Sequence, residues 1–136
     1  MDFLRGTRTR FVKWALVNAV YAIVVAGAGL SYHGKVHSIG LAAIGAVLAL
    51  FAVASGYAGY LLWDDGLVNK RHLSLAIELA PKLAMLGTVG GFLIAFSASA
   101  GDVQHRVLGA STGLAATFVG IFTMITLEVI RHIVED

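Results

Sequence analysis

Two threonines, Thr88 in "LGTVGG" and Thr117 in "ATFVGIF", stand inside otherwise apolar stretches. A hydroxyl carries one hydrogen and two lone pairs. In a greasy helix it does one of two things. It bonds back to a carbonyl of its own helix, or it offers oxygen to a proton, a water or a cation. No other group in the chain suggests chemistry. There is no nucleophile–base pair, no phosphate loop and no cysteine, hence no thiolate metal site. The five histidines, His33, His37, His72, His105 and His132, fall in connections or at ends. None has the tight helical spacing of a metal motif. No enzyme activity and no cofactor are expected. Asp64 and Asp65 are read as hydrating the end of a helix, and Glu128 as pairing on the surface with His132 four residues on. Asn18 is expected to bond a neighbouring helix.

The elements that position these hydroxyls follow from composition. Of 136 residues, 58% are hydrophobic and 13% charged, against about 25% charged in a soluble domain. The surface therefore mostly faces something other than water. Four apolar runs, at about 14–30, 39–62, 83–100 and 107–130, each have the length that crosses about 30 Å of hydrocarbon. Lipid offers backbone groups no partners, so the runs must be helices. The fold class is all-α: a single integral membrane domain over 1–136 with four transmembrane helices. "LSLAIEL" in the longest connection also reads as helical, which starts the third helix near His72. The basic residues set the orientation. Arg5, Arg8, Arg10, Lys13, Lys70, Arg71, Lys82 and Arg131 fall on one side, and only Lys35 and Arg106 on the other. By the positive-inside rule both termini are cytoplasmic. Trp14, Tyr32, Tyr57, Tyr60 and Trp63 fit an aromatic belt. The basic start, apolar run and "AGA" at Ala26–Ala28 also fit a secretory signal, but an uncleaved first span is the expected outcome. A net charge of +2 gives no reason to expect a nucleic-acid partner.

Two of the spans are striped. On the fourth, Gly109, Thr112, Gly113, Ala116, Thr117, Gly120 and Thr123 share a face. On the third, Ala84, Gly87, Thr88, Gly91, Ala95 and Ala98 do. Small residues let helices approach, and hydroxyls among them bond across. Thr88 lies about 21 Å along its helix from Asp102, and Thr117 about 16 Å from Arg106, at 1.5 Å per residue. The two hydroxyls thus share one depth. No acid interrupts the spans except Glu128 near the end of the fourth. A carrier working alone places an ionisable group at mid-membrane. Either this chain moves nothing, or a partner supplies that group.

The third and fourth spans resemble the pore helices of the MotA/TolQ/ExbB proton-channel family. "APKLAMLGTVGGFLIAF" matches its third-helix pattern at Ala80, Pro81, Leu86, Gly87, Thr88, Val89, Gly91 and Phe96. "ATFVGIF" matches the fourth at Ala116, Thr117, Gly120 and Ile121. The likeness covers about fifty residues, 80–130. It departs where Thr112 replaces a glutamate often found five residues before the second threonine, in lacking a later proline, and in lacking the large cytoplasmic domain. A flagellar role is therefore not expected. The resemblance implies a bacterial inner-membrane, multi-pass protein: a homo-oligomer, most simply a pentamer, around two copies of a single-span MotB/TolR/ExbD-like subunit. That subunit carries an aspartate which takes the proton. Thr88 and Thr117, with Thr112 as a further oxygen, would form the ion pathway. Gly87, Gly91, Gly113, Ala116 and Gly120 would form the close-packing pore face. Sodium-using members tend to have a second hydroxyl beside the fourth-helix threonine. Ala116 stands there instead, which favours proton over sodium. The ring is also expected on the ground that the stripes lack a partner within one small chain.

Three other readings compete: a holin-like pore, a non-conducting membrane scaffold and a four-helix multidrug carrier. The carrier needs a first-helix glutamate, and residues 14–30 contain none.

Overall fold

Among the described residues four helices follow one another: α1 (Asp2–Ser31), α2 (Ser38–Asp64), α3 (Lys70–Ser97) and α4 (Val103–Glu135). The computed structural model describes residues 2–32, 34, 36, 38–64, 70–97 and 101–135. His33, Lys35, His37, Asp65 and Ala98, all singled out above, lie outside the described residues, as does the end of the third span at 98–100. Every helix is long and apolar enough to cross a membrane, over Thr9–Ser31, Gly40–Tyr60, Leu73–Ser97 and Val103–Val134. Many large apolar side chains are exposed, among them Ile23, Leu30, Val53 and Phe96. A protein surrounded by water rarely tolerates so much exposed apolar surface.

The helices run longer than the apolar runs that announced them. α3 passes through Pro81, whose missing N–H deprives the Ile77 carbonyl of its regular donor. α4 starts at Val103 because Asp102 caps it: the His105 N–H donates to the Asp102 carboxylate at 3.0 Å, the usual N-cap geometry. Between α1 and α2, Gly34 has φ 75°, a conformation only glycine adopts without strain.

Successive helices alternate in direction. Call the end holding both termini the terminus end, and the end with Gly34 and Gly101 the hairpin end. α2 and α4 touch along the middle; α3 packs on both from one side and α1 on both from the other, with no α1–α3 contact among the described residues. The packing changes along the axis. At the terminus end a core of large side chains separates the helices, with Leu73, Leu127 and Ile130 fully buried. Towards the hairpin end small residues take over, and α3 and α4 approach backbone to backbone. A Cβ at Gly91 would stand 2.5 Å from the Gly113 nitrogen and 2.6 Å from the Gly109 carbonyl oxygen.

α1 is held differently. It is the least buried of the four, and polar groups attach it. Asn18 accepts from the Ser55 hydroxyl and donates to the Trp14 carbonyl at 2.8 Å. The Trp14 indole donates to the Ser55 carbonyl at 3.0 Å, with its ring over Gly59. Tyr21 and Thr123 share a hydrogen bond of 2.7 Å, and the Tyr21 ring stacks on Phe51 at 3.7 Å. Asn18 thus bonds a neighbouring helix as expected. Trp14, assigned above to the aromatic belt, also makes an interhelical contact. Asn18→Leu is expected to loosen α1 by about 0.6–2 kcal/mol, the range for one interhelical bond in a membrane. Faster hydrogen exchange in α1, with α3 and α4 unchanged, would show it.

Candidate ion-pathway site

Thr88 and Thr117 meet. Their hydroxyl oxygens lie 2.8 Å apart, across the α3–α4 contact. Each also reaches backbone: Thr117 donates to the Gly113 carbonyl at 2.8 Å, and Thr88 has the Ala84 carbonyl at 3.1 Å and that of Gly113 at 3.4 Å. Two hydroxyls own two hydrogens. The carbonyls and the mutual bond take both, whichever threonine donates to the other. What the pair then shows outward is lone pairs, an acceptor surface.

That surface faces an open groove of about 280 Å³ lined by Pro81, Ala84, Met85, Thr88, Thr117 and Ile121. None of the six ionises. Such a site is suited to a donor: a protonated carboxyl, a water or a hydronium. A bare carboxylate would have to draw one of the two hydroxyl hydrogens away from its acceptor inside the chain to bind there.

The small residues explain how the hydroxyls come so close. Gly91 packs on Gly109 and Gly113, and Gly120 takes the Ala84 methyl. Gly87 sits at a three-helix junction, where a Cβ would come within 2.8 Å of both the Ala116 and the Ala43 methyls. These are contacts inside one chain. The stripes therefore do have a partner within one chain, each in the other, and the ring does not follow from their being unmatched. Gly87, Gly91, Ala116 and Gly120 are buried between α3, α4 and α2. Gly113 is buried as well, with the Thr88 carbonyl and the Phe92 ring beside it.

Thr112 does not join the pair. It is fully buried, donates to the Leu108 carbonyl at 2.7 Å and packs its methyl on Gly40 of α2. Thr123 turns to Tyr21 on α1. The fourth-helix stripe thus divides among three neighbours: its centre meets α3, one edge meets α1 and α2, and Thr117 holds the groove edge. Thr126 is buried and donates to the Phe122 carbonyl at 2.8 Å.

No protein family, curated protein or solved structure matches this chain.

Proposed function

We propose that this protein is the ring-forming, proton-conducting subunit of an ion-driven membrane complex, and that the Thr88–Thr117 pair is its contact with the proton. One observation carries the reading: two hydroxyls at one level, 2.8 Å apart, with their hydrogens committed inside the chain and their lone pairs on a groove without a charge. Such a pair accepts from a protonated carboxyl and, alone, binds nothing tightly. The acid comes from a single-span partner helix, as in the MotA/TolQ/ExbB proteins that residues 80–130 resemble. The chain then lies in a bacterial inner membrane with both termini cytoplasmic, which the eight-to-two split of basic residues supports. Proton is favoured over sodium, because Ala116 puts no second hydroxyl beside Thr117.

The ring rests on the exposed apolar flanks and on the groove, which is half a site until something covers it. Native mass spectrometry of the purified protein is expected to show five copies, with two of the partner when the two are produced together. A clean monomer in mild detergent and in lipid would remove the ring. Reporter fusions at Met1 and Asp136 are expected to report cytoplasm at both ends.

A non-conducting scaffold is the second reading. It is favoured by the fact that each threonine also reaches a carbonyl of its own helix, which packing alone explains.

A further inference from the structure

We infer that Phe92 is a gate: its ring closes the Thr88–Thr117 pair off from the hairpin end, so that water and the transferred proton reach the pair from the terminus end alone until the ring moves. The inference rests on the ion-pathway reading above and adds to it a direction of access.

Phe92 stands one helical turn beyond Thr88 on the same face of α3, and Gly113 one turn before Thr117 on α4. Because the two helices are antiparallel, both positions lie on the hairpin side of the hydroxyls. The Phe92 ring lies against Gly113, where a Cβ would come within 3.6 Å of it. The ring therefore reaches across from α3 to α4 next to the hydroxyl pair. The absence of a side chain at 113 leaves room for it. Phe92 is nonetheless 41% exposed, so the core does not hold it on all sides. Phe96 follows one turn on, its ring centroid 6.4 Å away and tilted 31°. It extends the apolar cover towards the hairpin end.

The other side of the pair is different. The groove of about 280 Å³ runs from Thr88 and Thr117 back to Pro81 and contains no aromatic ring among its described lining residues. The same two oxygens thus have open space on one side and a phenyl group on the other. A half-exposed phenylalanine has staggered χ1 wells to move between. Two states of one side chain, closed across Gly113 or swung off it, suffice for access to alternate.

The chain has no cysteine, so Thr117→Cys introduces a unique thiol into the full-length protein. A charged, membrane-impermeant thiol reagent is applied to native membrane vesicles of either orientation, which keep whatever partner the protein has. The reagent needs the thiolate and a wet path to it. Labelling is expected from the terminus face and to be slow from the hairpin face. An open state populated at up to about 10% makes removal of the ring worth a tenfold or greater rise. Adding Phe92→Ala should therefore speed hairpin-face labelling by that factor, while Phe92→Leu, which keeps a bulky cover, should leave it slow. Native mass spectrometry of each variant checks that the assembly persists.

Equal labelling from both faces with Phe92 in place would overturn the gate and leave a wet ion pathway standing. So would an asymmetry that Phe92→Ala does not change. No labelling from either face in any variant would overturn the gate and the pathway together, since the hydroxyl layer would then be dry.

Discussion

Valine at position 88 or 117 is expected to lower proton flux by about a hundredfold, the scale on which one preorganised hydrogen-bonding group acts in a low-dielectric site, while the protein stays assembled. Valine keeps threonine's shape and loses the oxygen. In Thr117→Val, the Thr88 hydroxyl still has the Ala84 carbonyl at 3.1 Å. In Thr88→Val, Thr117 still donates to the Gly113 carbonyl at 2.8 Å. Neither variant strands the remaining hydroxyl in hydrocarbon, so the loss of stability is confined to one interhelical bond, about 0.6–2 kcal/mol. Serine at either position keeps the oxygen and is expected to keep most of the flux. The measurement is proton uptake into liposomes holding the protein and its partner, with copy number checked in parallel. Flux near wild type in both valine variants would leave the scaffold reading in place.

Alanine at position 91 is expected to be among the most damaging small substitutions in the chain, together with alanine at 109, where a Cβ would stand 2.5 Å from both the Ala95 nitrogen and the Gly91 oxygen. At 91 the added methyl would stand 2.5 Å from the Gly113 nitrogen, 2.6 Å from the Gly109 oxygen and 3.0 Å from the Gly113 Cα. All three are backbone atoms, so no side chain can turn aside and the helices must separate. Overpacking of this kind costs about 1–3 kcal/mol. It also strikes the site, because Gly91 is one turn from Thr88 and any separation there stretches the 2.8 Å contact with Thr117. Gly27→Ala and Gly29→Ala are the controls. Nothing lies within 4 Å of a Cβ at either position, and replacing a mid-helix glycine by alanine gains about 0.5–1 kcal/mol. Unfolding midpoints in detergent should therefore fall for Gly91→Ala and hold or rise for the controls. Equal midpoints would mean that the α3–α4 contact is looser than its geometry.

Sequence reasoning found Thr88 and Thr117 because hydroxyls and glycines in an apolar run are conspicuous, and because depth along a helix follows from counting residues. It found the four helices because composition and length admit little else. It did not find how the face of α4 is shared. A helical wheel gives the angle of a residue, not the neighbour that stands there. Gly109 through Thr123 occupy a wide arc, which three helices divide. Thr112 therefore looked like part of the pathway, yet it packs on Gly40. Ser55 in "VASGY" gave no sign of its bond to Asn18, thirty-seven residues earlier, since no local period links the two. The cap at Asp102 stands five residues before the apolar run that begins at 107, so hydropathy alone placed the helix start too late.

The way α1 is attached has a consequence for how the protein is made. Its partners leave the ribosome later: Ser55 comes with α2, and Thr123 with α4, 102 residues after Tyr21. Asn18 meets that delay partly paired, because its amide already donates to the Trp14 carbonyl on its own helix. The Tyr21 hydroxyl has no such local partner among its described bonds. If α1 inserts as proposed, a nascent chain halted before Thr123 would hold the Tyr21 phenol in lipid without that bond, and a membrane quality-control protease is expected to cleave it faster than a chain extended past Thr123.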